Sequence, residues 1–371
     1  MCTSLGYKDA SGKAYFGRTL ELTVDLPYQV AWFPAGFETT SDVDGQKTLK
    51  YSARFGVLAV TMPDRVPTAE APMGINDLKV LEGLNDQGLT FSLLSYPTAA
   101  GAEHSAAITK SVLSATDLGS WALGQFATVA EVKAALAQQP IELQPLALLG
   151  GVVSPFHYVV HDASGASLVI EFHKGVMTVY DNPVGVMTNG PKFDWHLTNL
   201  DNYTFLSNVD QSSGTFGTYQ ARQPDPGIAT AGLPASNTSV GRFVRAVYYA
   251  QFTEKAATPD LAVQTLGHVM NNFDRPRGVT IDYPQHGDGH FEVDGLPGAG
   301  EASYETEFTS WTSLSDLDRK VFYVRDYRSL NFTSFDLKGL ADVKTPVVLP
   351  LQKLQGGGSD ATATLKAPKA A

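Results

Sequence analysis

The chain has 371 residues, of which 43% are hydrophobic and 18% are charged, so it can bury a large core in one big domain or in two ordinary ones. Its net charge is −11 and its lysines and arginines form no cluster, which argues against a nucleic-acid partner. No apolar stretch approaches the roughly 20 residues of a membrane span. The N-terminus shows no basic segment followed by an apolar run, so we expect no membrane partner and, in the chain as written, no export signal.

Blocks of short strands alternate with blocks of helices along the chain. The first block is a hairpin in which the runs CTSLGY and AYFGRTLEL flank a turn at residues 9–12. Two later blocks contain alternating or β-branched runs separated by polar turn residues. These predicted strands are residues 157–160, 167–172, 176–180, 308–314, 321–325 and 332–337.

Three helices are predicted between the strand blocks. Thr128 and Glu131 form a capping box that opens a helix ending near Gln138. A second helix is predicted over residues 239–252, where apolar residues recur at helical spacing, and a third over residues 258–272. Such blocks favour an α+β layered domain over a doubly wound parallel sheet, in which strands and helices would alternate one by one.

The end of the chain differs in composition from the rest. From residue 351 it is poor in large apolar groups and rich in glycine, alanine, threonine and lysine, a composition typical of disorder. No linker of similar composition occurs earlier in the chain. We therefore predict one catalytic domain over residues 2–350 and a disordered tail over residues 351–371.

The single cysteine, Cys2, directly follows Met1. One cysteine excludes internal disulfide bonds and CxxC motifs, but a residue as small as cysteine permits removal of the initiator methionine. An α-amine titrates near ~8 and a free thiol near ~8.5, so the exposed amine and thiol of Cys2 can exchange a proton without a histidine. Cys2 is thus a candidate N-terminal nucleophile, although its position alone fits an inert, buried cysteine equally well.

The register of the first hairpin decides whether Arg18 supports this chemistry. A three-residue loop at residues 10–12 would pair Ser4 with Arg18. The same register would pair Cys2 with Leu20, so that the guanidinium and the sulfur share one face of the sheet. A permanent positive charge beside the sulfur favours the thiolate. A loop one residue shorter would place the two side chains on opposite faces and leave Arg18 as an exposed strand charge.

Several segments, in the same order along the chain, resemble one enzyme family. Residues 2–22, CTSLGYKDASGKAYFGRTLEL, resemble the start of choloylglycine hydrolases, which include conjugated bile salt hydrolases and penicillin V acylases. Residues 182–203 are similar to the family's segment around its oxyanion asparagine, and residues 232–246 resemble the stretch with its second active-site arginine. Shorter matches, which extend the resemblance over most of residues 2–340, are GLNDQGL at residues 83–89 and the strands around Trp311 and residues 322–327.

The resemblance assigns four site residues. Cys2 matches the nucleophile, and Arg18 matches the arginine beside it. Asn189 matches the oxyanion-hole asparagine, and Arg242 matches the arginine that stabilises the charged transition state. A preorganised amide donor at the oxyanion lowers the barrier by roughly 3 kcal/mol. The acyl group would be held as a thioester while the amine departs, and water activated by the α-amine would then release the acid.

Two positions depart from the family pattern. Glu21 stands where the family has an aspartate close to the N-terminal amine, and its extra methylene leaves an orienting role open. Ser95, followed by Tyr96, stands where bile salt hydrolases have a second asparagine and penicillin V acylases an aromatic residue. Without the resemblance, the sequence favours Asn189 as a turn residue before Gly190 and Pro191, and Arg242 as a solvated helix residue.

The family resemblance also implies a fold, a reaction and partners. It implies a four-layer αββα sandwich of the Ntn-hydrolase type in one domain, an amidohydrolase acting on linear amides (EC 3.5.1 type), and a homo-oligomer, often a tetramer. The substrate would be a small-molecule N-acyl amide whose acyl part enters an apolar pocket. We expect no cofactor and no metal. The location would be cytoplasmic for the chain as written, or periplasmic if a signal peptide preceded Cys2.

Two alternatives compete with this interpretation. His286, Asp288, His290 and Glu292 recur two residues apart, a spacing that could hold a metal, although glycine-rich polar runs of this kind usually form solvated loops. A binding protein anchored through a lipidated Cys2 would also place a cysteine at the very start. That alternative fits less well, because a predicted strand begins at once and leaves no flexible spacer for an anchor.

Overall fold

The computed structural model describes residues 1–101, 110–283 and 304–356. The histidine-rich run at residues 286–292 and the chain from residue 357 onward lie outside these ranges. Within the described ranges, fourteen strands form two large sheets. These strands are β1 (Cys2–Lys8), β2 (Ala14–Leu22), β3 (Gln29–Phe33), β4 (Val57–Pro63), β5 (Leu78–Asn85), β6 (Thr90–Ser95), β7 (Phe156–His161), β8 (Ser167–His173), β9 (Val176–Asp181), β10 (Val186–Met187), β11 (Phe308–Asp316), β12 (Val321–Asp326), β13 (Thr333–Asp336) and β14 (Val347–Pro350).

The two sheets are antiparallel. The six-stranded sheet has the order β10-β1-β2-β11-β12-β13, and the eight-stranded sheet has the order β9-β8-β7-β6-β5-β4-β3-β14. β1 and β2 lie against β6 of the other sheet. Shorter two-stranded ribbons, joined to neither sheet, pair Glu38–Ser41 with Leu49–Ser52, Leu113–Ser114 with Ile141–Glu142, Pro145–Leu146 with Val152–Val153, and Ser213–Phe216 with Tyr219–Arg222.

Helices cover the outer face of each sheet. They are α1 (Leu118–Gln125), α2 (Val129–Leu136), α3 (Phe193–Asn199), α4 (Ser239–Phe252) and α5 (Pro259–Asn271). α1 packs on β5 and β6, and α2 packs on β8, whereas α4 packs on β1 and α5 on β2 and β11. The layers are therefore helix, sheet, sheet and helix, which confirms the predicted four-layer αββα sandwich. No helix in the described ranges is both long and apolar enough to cross a bilayer.

The first hairpin has the predicted register. Ser4 lies opposite Arg18 and Cys2 lies opposite Leu20. Gly12 supplies the left-handed residue of the three-residue loop, with φ of +82°, a conformation that glycine adopts without steric cost. The side chains of β2 therefore alternate between the inter-sheet core and the layer formed by α4 and α5.

Other predicted elements are confirmed with small shifts at their ends. The helix predicted over residues 239–252 has these bounds in α4, where Thr238 caps the first turn. At the start of α2, the Thr128 hydroxyl accepts a hydrogen bond from the Glu131 N–H. The Glu131 carboxylate accepts from the N–H of Ala127 and not from that of Thr128, so the predicted capping box is incomplete. The strand predicted over residues 332–337 is shorter, because a 3₁₀ turn begins at Leu337.

Ordered chain continues beyond the predicted domain boundary at residue 350. Leu351–Leu354 form a short 3₁₀ helix. The Leu351 side chain is buried, and its N–H donates to the carbonyl of Tyr28. The Gln355 side chain donates to Asp326. Residues Leu351 and Gln355 thus contact the domain, whereas residues 357–371 of the predicted tail lie outside the described residues and their disorder stays a prediction.

Two glycines in hairpin turns provide a test of the fold. Both have positive φ, +82° at Gly12 and +91° at Gly88. A methyl group at Gly12 would meet open space, whereas one at Gly88 would collide with the carbonyl oxygen of Leu317. We expect Gly12→Ala to cost about 1 kcal/mol of unfolding free energy from backbone strain alone, and Gly88→Ala about 3 kcal/mol from strain and collision together. Urea unfolding measures both, and equal costs would contradict this packing.

Candidate active site

Cys2 opens β1 and is 4% exposed. Its side chain lies on the face of the six-stranded sheet that looks toward the eight-stranded sheet, as does that of Arg18. The guanidinium nitrogen Nη2 of Arg18 lies 3.5 Å from Cys2 Sγ. This contact would stabilise a negatively charged sulfur. The structure therefore brings together the two residues that the hairpin register predicts as neighbours.

The Arg18 side chain is fully buried between the two sheets. Nη1 donates to the carbonyl of Leu81 at 3.0 Å, and Nη2 donates to the carbonyl of Leu93. The guanidinium carbon lies 4.7 Å from the ring centre of Trp311, a distance at which the ring face attracts a cation. These contacts fix the orientation of the guanidinium that faces Cys2.

A break in the strand pairing frees the two carbonyls that Arg18 binds. β5 and β6 pair from Leu84 opposite Thr90 to Glu82 opposite Ser92. Leu81 is the extra residue of a β-bulge against β4, because Val60 pairs with Glu82 and the next residue pairs with Val80. A bulge leaves its extra residue outside the ladder, and the Leu81 carbonyl is thus free to accept from Arg18.

Glu82 is a further buried residue of this site, and the sequence analysis did not identify it. Its Oε2 lies 3.7 Å from Arg18 Nη1 and accepts a hydrogen bond from the Ser92 hydroxyl. Burial raises the pKa of Glu82 to about 8, and the positive charge of Arg18 opposes the shift. A glutamate in the apolar strand LKVLEGLN was the available signal for a buried carboxyl.

Asn189 connects the other predicted residues. Its Oδ1 accepts from the Cys2 backbone N–H at 2.8 Å and from Arg242 Nη2 at 2.7 Å. Its Nδ2 donates to the carbonyl of Ser95 at 2.7 Å. With one bond to Ser95, the second N–H of the Asn189 amide remains available for a ligand. Ser95 thus enters the site through its main chain.

The backbone of Asn189 is also held on both sides. Its N–H donates to the Ser239 hydroxyl at 2.9 Å, and its carbonyl accepts from His196 Nε2 at 2.8 Å. Burial lowers the pKa of His196 to about 4, so the imidazole is neutral at pH 7 and carries its proton on Nε2. His196 stacks on Phe243 with ring centres 4.5 Å apart. The sequence analysis named neither Ser239 nor His196, which support the site from α4 and α3.

Arg242 is fully buried in the first turn of α4. Its Nη1 donates to the carbonyl of Cys2 and to the Thr3 hydroxyl, and its Nη2 donates to Asn189. Arg242 therefore reaches β1 from the helix side of the sheet. It is not among the residues that line the cavity beside the sulfur, so any effect of its charge on that cavity passes through Cys2, Thr3 and Asn189.

Glu21 faces the helix layer and is fully buried. Its Oε1 accepts from the Thr309 hydroxyl at 3.0 Å, and its Oε2 has no hydrogen-bond partner among the described residues. Burial raises the pKa of Glu21, while the charges of Arg242 and the chain's terminal amine lower it. The ammonium of Met1 donates to the Glu21 carbonyl at 2.6 Å.

A cavity of about 50 Å³ adjoins Cys2 and Arg18. Ser95 lies on its wall, whereas Tyr96 stacks on His157 with ring centres 4.8 Å apart. Most of the remaining lining is apolar; it includes Leu20, Leu22, Val24, Leu26, Tyr28, Met62, Leu81, Leu93, Leu149 and Phe156. This composition suits an apolar acyl group.

A larger cavity, of about 360 Å³, lies at the opposite end of β1 near Lys8, His161 and Lys255. Its lining residues include none of the predicted catalytic residues. Among the residues that the structure describes, no cluster of three or more histidine, cysteine, aspartate or glutamate side chains could hold a metal ion. The candidate chemistry therefore rests on the smaller cavity beside Cys2.

The four-layer sandwich, with a cysteine at the start of its first strand, is the arrangement of hydrolases of the N-terminal nucleophile type. Residues 2–288 match the model of the linear amide C-N hydrolases, choloylglycine hydrolase family. The chain belongs to this family and is therefore an amidohydrolase that acts on linear amides. A lipid-anchored binding protein finds no support, since Cys2 is already part of a buried strand.

Relatives and solved structures agree with this membership. The chain is 24% identical to the bile salt hydrolase/transferase of Clostridium perfringens over 338 residues, 91% of this chain and 92% of that protein. A mutant of the conjugated bile acid hydrolase from Clostridium perfringens has the same fold, with a TM-score of 0.78, 21% identity and coverage of 97% and 99% of the two chains. The penicillin V acylase from Agrobacterium tumefaciens also has it, with a TM-score of 0.69, 21% identity and coverage of 94% and 92%.

The buried carboxyl of Glu82 leads to a prediction about stability and pH. Its pKa rises from the usual 4.5 to about 8 on folding, so between these values the unfolded chain binds fewer protons and stability falls as pH rises. Glu82→Gln has no ionisable group at this position, so its stability does not fall with pH for this reason. We expect the unfolding free energy of the variant, relative to wild type, to increase from about pH 5 to about pH 8. Urea unfolding at several pH values measures the difference, and a pH-independent difference would contradict the assignment.

Proposed function

We propose that this protein hydrolyses N-acyl amides with slim, apolar acyl groups, with the sulfur of Cys2 as nucleophile once Met1 has been removed. One observation carries the proposal: Cys2 lies 3.5 Å from Arg18 at the mouth of an apolar cavity, and its backbone nitrogen is bound to Asn189. Cys2 thus supplies both the nucleophile and its base, and the proposed oxyanion donor, Asn189, contacts the same residue.

Removal of Met1 turns the Cys2 backbone nitrogen into an α-amine. This amine lies in the place where the N–H now donates to Asn189 Oδ1 at 2.8 Å. The free Oε2 of Glu21, which has no partner in the described part of the chain, is suited to accept a second hydrogen bond from it. The positive charge of the Met1 ammonium already opposes the rise that burial causes in the pKa of Glu21. The glutamate can therefore orient the new amine in place of the family's aspartate.

In the first step the α-amine accepts the thiol proton and the sulfur attacks the amide carbon. The tetrahedral oxyanion is stabilised by the second N–H of the Asn189 amide. Arg242 acts as a positioning residue, because its hydrogen bond to Oδ1 fixes the orientation of the Asn189 amide and keeps Nδ2 on the side of Ser95, which lines the cavity. Its buried charge also adds to the positive potential at the site.

The later steps regenerate the thiol and the α-amine, and a proton from water replaces the thiol proton that departs with the product amine. When the carbon–nitrogen bond breaks, the α-ammonium gives its proton to the leaving amine and the acyl group remains as a thioester on Cys2. Water then attacks the thioester while the α-amine takes one of its protons. Breakage of the carbon–sulfur bond releases the acid, and the thiol is restored.

The size of the cavity supports a slim acyl group. Its volume, about 50 Å³, is well below the roughly 300 Å³ at the lower end of ordinary ligand pockets. An alkyl chain or a phenoxy group is narrow enough to enter between the leucine side chains, whereas a sterol is much wider. We therefore place phenoxyacetyl and linear acyl amides ahead of conjugated bile salts as substrates.

We further propose that a second copy of the chain covers the ribbon Ser213–Phe216 and Tyr219–Arg222. Phe216 is 73% exposed and Tyr219 is 68% exposed. Phe205 and Val209 are also mainly exposed. Exposed apolar groups concentrated in one segment mark an interaction surface, and the family resemblance implies a homo-oligomer.

The catalytic proposal predicts the behaviour of two variants. Cys2→Ala should fold and show no hydrolysis, because no other group supplies both nucleophile and base. Asn189→Ala should lower kcat by about 10²- to 10³-fold, the usual effect of removing an oxyanion donor. Turnover of penicillin V, glycine- and taurine-conjugated bile salts and N-acyl homoserine lactones measures these effects.

A matched control for Asn189→Ala is Asn202→Ala, which changes an exposed asparagine of the same segment and should leave turnover unchanged. Urea unfolding confirms that each variant is folded. Hydrolysis retained by Cys2→Ala would refute the mechanism. Bile salts turned over faster than penicillin V and acyl homoserine lactones would refute the acyl preference alone.

The oligomer proposal predicts a change of mass. The double variant Phe216→Ser, Tyr219→Ser should shift the protein from an oligomer to a monomer in size-exclusion chromatography with light scattering, because it removes the apolar groups of the ribbon. Leu330→Ser serves as the control, since Leu330 is 71% exposed but lies outside the ribbon. A wild-type monomer, or an oligomer unaffected by the double variant, would contradict the proposal.

A further inference from the structure

Tyr28 stands on the wall of the cavity beside Cys2 and is 4% exposed. Its N–H donates to the carbonyl of Leu26 at 2.8 Å, and its carbonyl accepts from the N–H of Leu351 at 3.0 Å. Its ring meets Trp311 edge-on, with ring centres 6.1 Å apart and an angle of 84°. Tyr28 is thus held by its backbone on two sides and by an aromatic neighbour, so its hydroxyl has a defined position.

The hydroxyl of Tyr28 is buried and has no hydrogen-bond partner within the described ranges. The nearby Ser310 hydroxyl opposes the rise that burial causes in the pKa of Tyr28, but the two hydroxyls do not meet hydrogen-bond geometry, and that of Ser310 also lacks a partner within the described ranges. A buried hydroxyl without a partner costs roughly 1–3 kcal/mol, so such groups normally find one. A donor without a partner, on a residue that lines a substrate cavity, is suited to a polar atom of the ligand.

The position of the hydroxyl relative to the nucleophile limits where that polar atom lies. Burial raises the pKa of Tyr28, the charge of Cys2 raises it further, and the charge of Arg18 lowers it. The phenol is therefore protonated and acts as a donor. Tyr28 and Cys2 line the same cavity of about 50 Å³, and the centre of the Trp311 ring that Tyr28 meets also lies 4.7 Å from the guanidinium carbon of Arg18. The partner of the Tyr28 hydroxyl on a bound acyl group must be an acceptor within a few bonds of the carbonyl that Cys2 attacks.

We propose that Tyr28 is a specificity-determining residue whose hydroxyl donates a hydrogen bond to an acyl-group oxygen close to the scissile carbonyl. This inference rests on the proposed function, because it assumes that the acyl group occupies the cavity beside Cys2. Aliphatic side chains such as Leu22, Met62 and Leu149 form much of the remaining wall and cannot bind that oxygen. The cavity therefore selects acyl groups with an ether, keto or hydroxyl oxygen near the amide over their all-carbon counterparts.

The experiment compares two amides of 6-aminopenicillanic acid that differ by one atom. Penicillin V carries a phenoxyacetyl group, and its 3-phenylpropanoyl analogue has CH₂ in place of the ether oxygen. We expect wild type to favour penicillin V in kcat/KM by about five- to tenfold, the worth of one neutral hydrogen bond. In Tyr28→Phe the ratio should fall to about one. The ratio isolates the ether oxygen, because any loss common to both substrates cancels.

Met62→Leu is the matched control, because it alters the wall of the same cavity without touching the hydroxyl and should keep the wild-type ratio. A second measurement uses the product acids: phenoxyacetate should inhibit wild type more strongly than 3-phenylpropanoate, and the two should inhibit Tyr28→Phe equally. An unchanged ratio in Tyr28→Phe would overturn the inference while the proposed function stands. Wild type that hydrolyses neither amide would overturn both.

Discussion

The site depends on one buried positive charge. Arg18 lies fully buried between the two sheets, where removal of an ion from water costs several kcal/mol. The cost is offset by hydrogen bonds to the carbonyls of Leu81 and Leu93, by the face of Trp311 and by the carboxyl of Glu82. These partners come from both sheets, so the guanidinium fixes how the sheets lie on each other. The same side chain then sets the electrostatic environment of Cys2.

The second organising element is the amide of Asn189. It joins β1, α4 and the end of β6, since it bonds to Cys2, Arg242 and Ser95. Ser239 and the neutral His196 hold its backbone. With every one of these contacts in place, the amide loses little freedom on binding an oxyanion, which is the condition for strong transition-state stabilisation. Under the proposed mechanism, Cys2 and Asn189 are thus aligned before any substrate arrives.

Sequence reasoning reached those parts of the site that depend on local rules. The loop length and the left-handed Gly12 determine the hairpin register, and that register alone places Arg18 beside Cys2. Arg242 and Asn189 were named only through the family resemblance, because burial of a polar side chain on α4 or after β10 depends on distant packing. Ser95 was singled out as a possible orienting or substrate-side residue because its side chain departs from both subgroups, yet its carbonyl makes the contact with Asn189. Main-chain acceptors are common to all residues, so residue identity does not reveal them.

The bulge at Leu81 links the width of the cavity to the position of the arginine beside Cys2. Leu81 gives its carbonyl to the arginine and its side chain to the cavity wall, and Leu93 does the same from the neighbouring strand. Widening the gap between these strands to admit bulkier molecules would draw both carbonyls away from the guanidinium. In this scaffold, a change of substrate range through the strand gap would therefore also weaken the reactivity of the thiol, whereas changes at Leu22, Val24 or Leu149 would leave the arginine's partners in place.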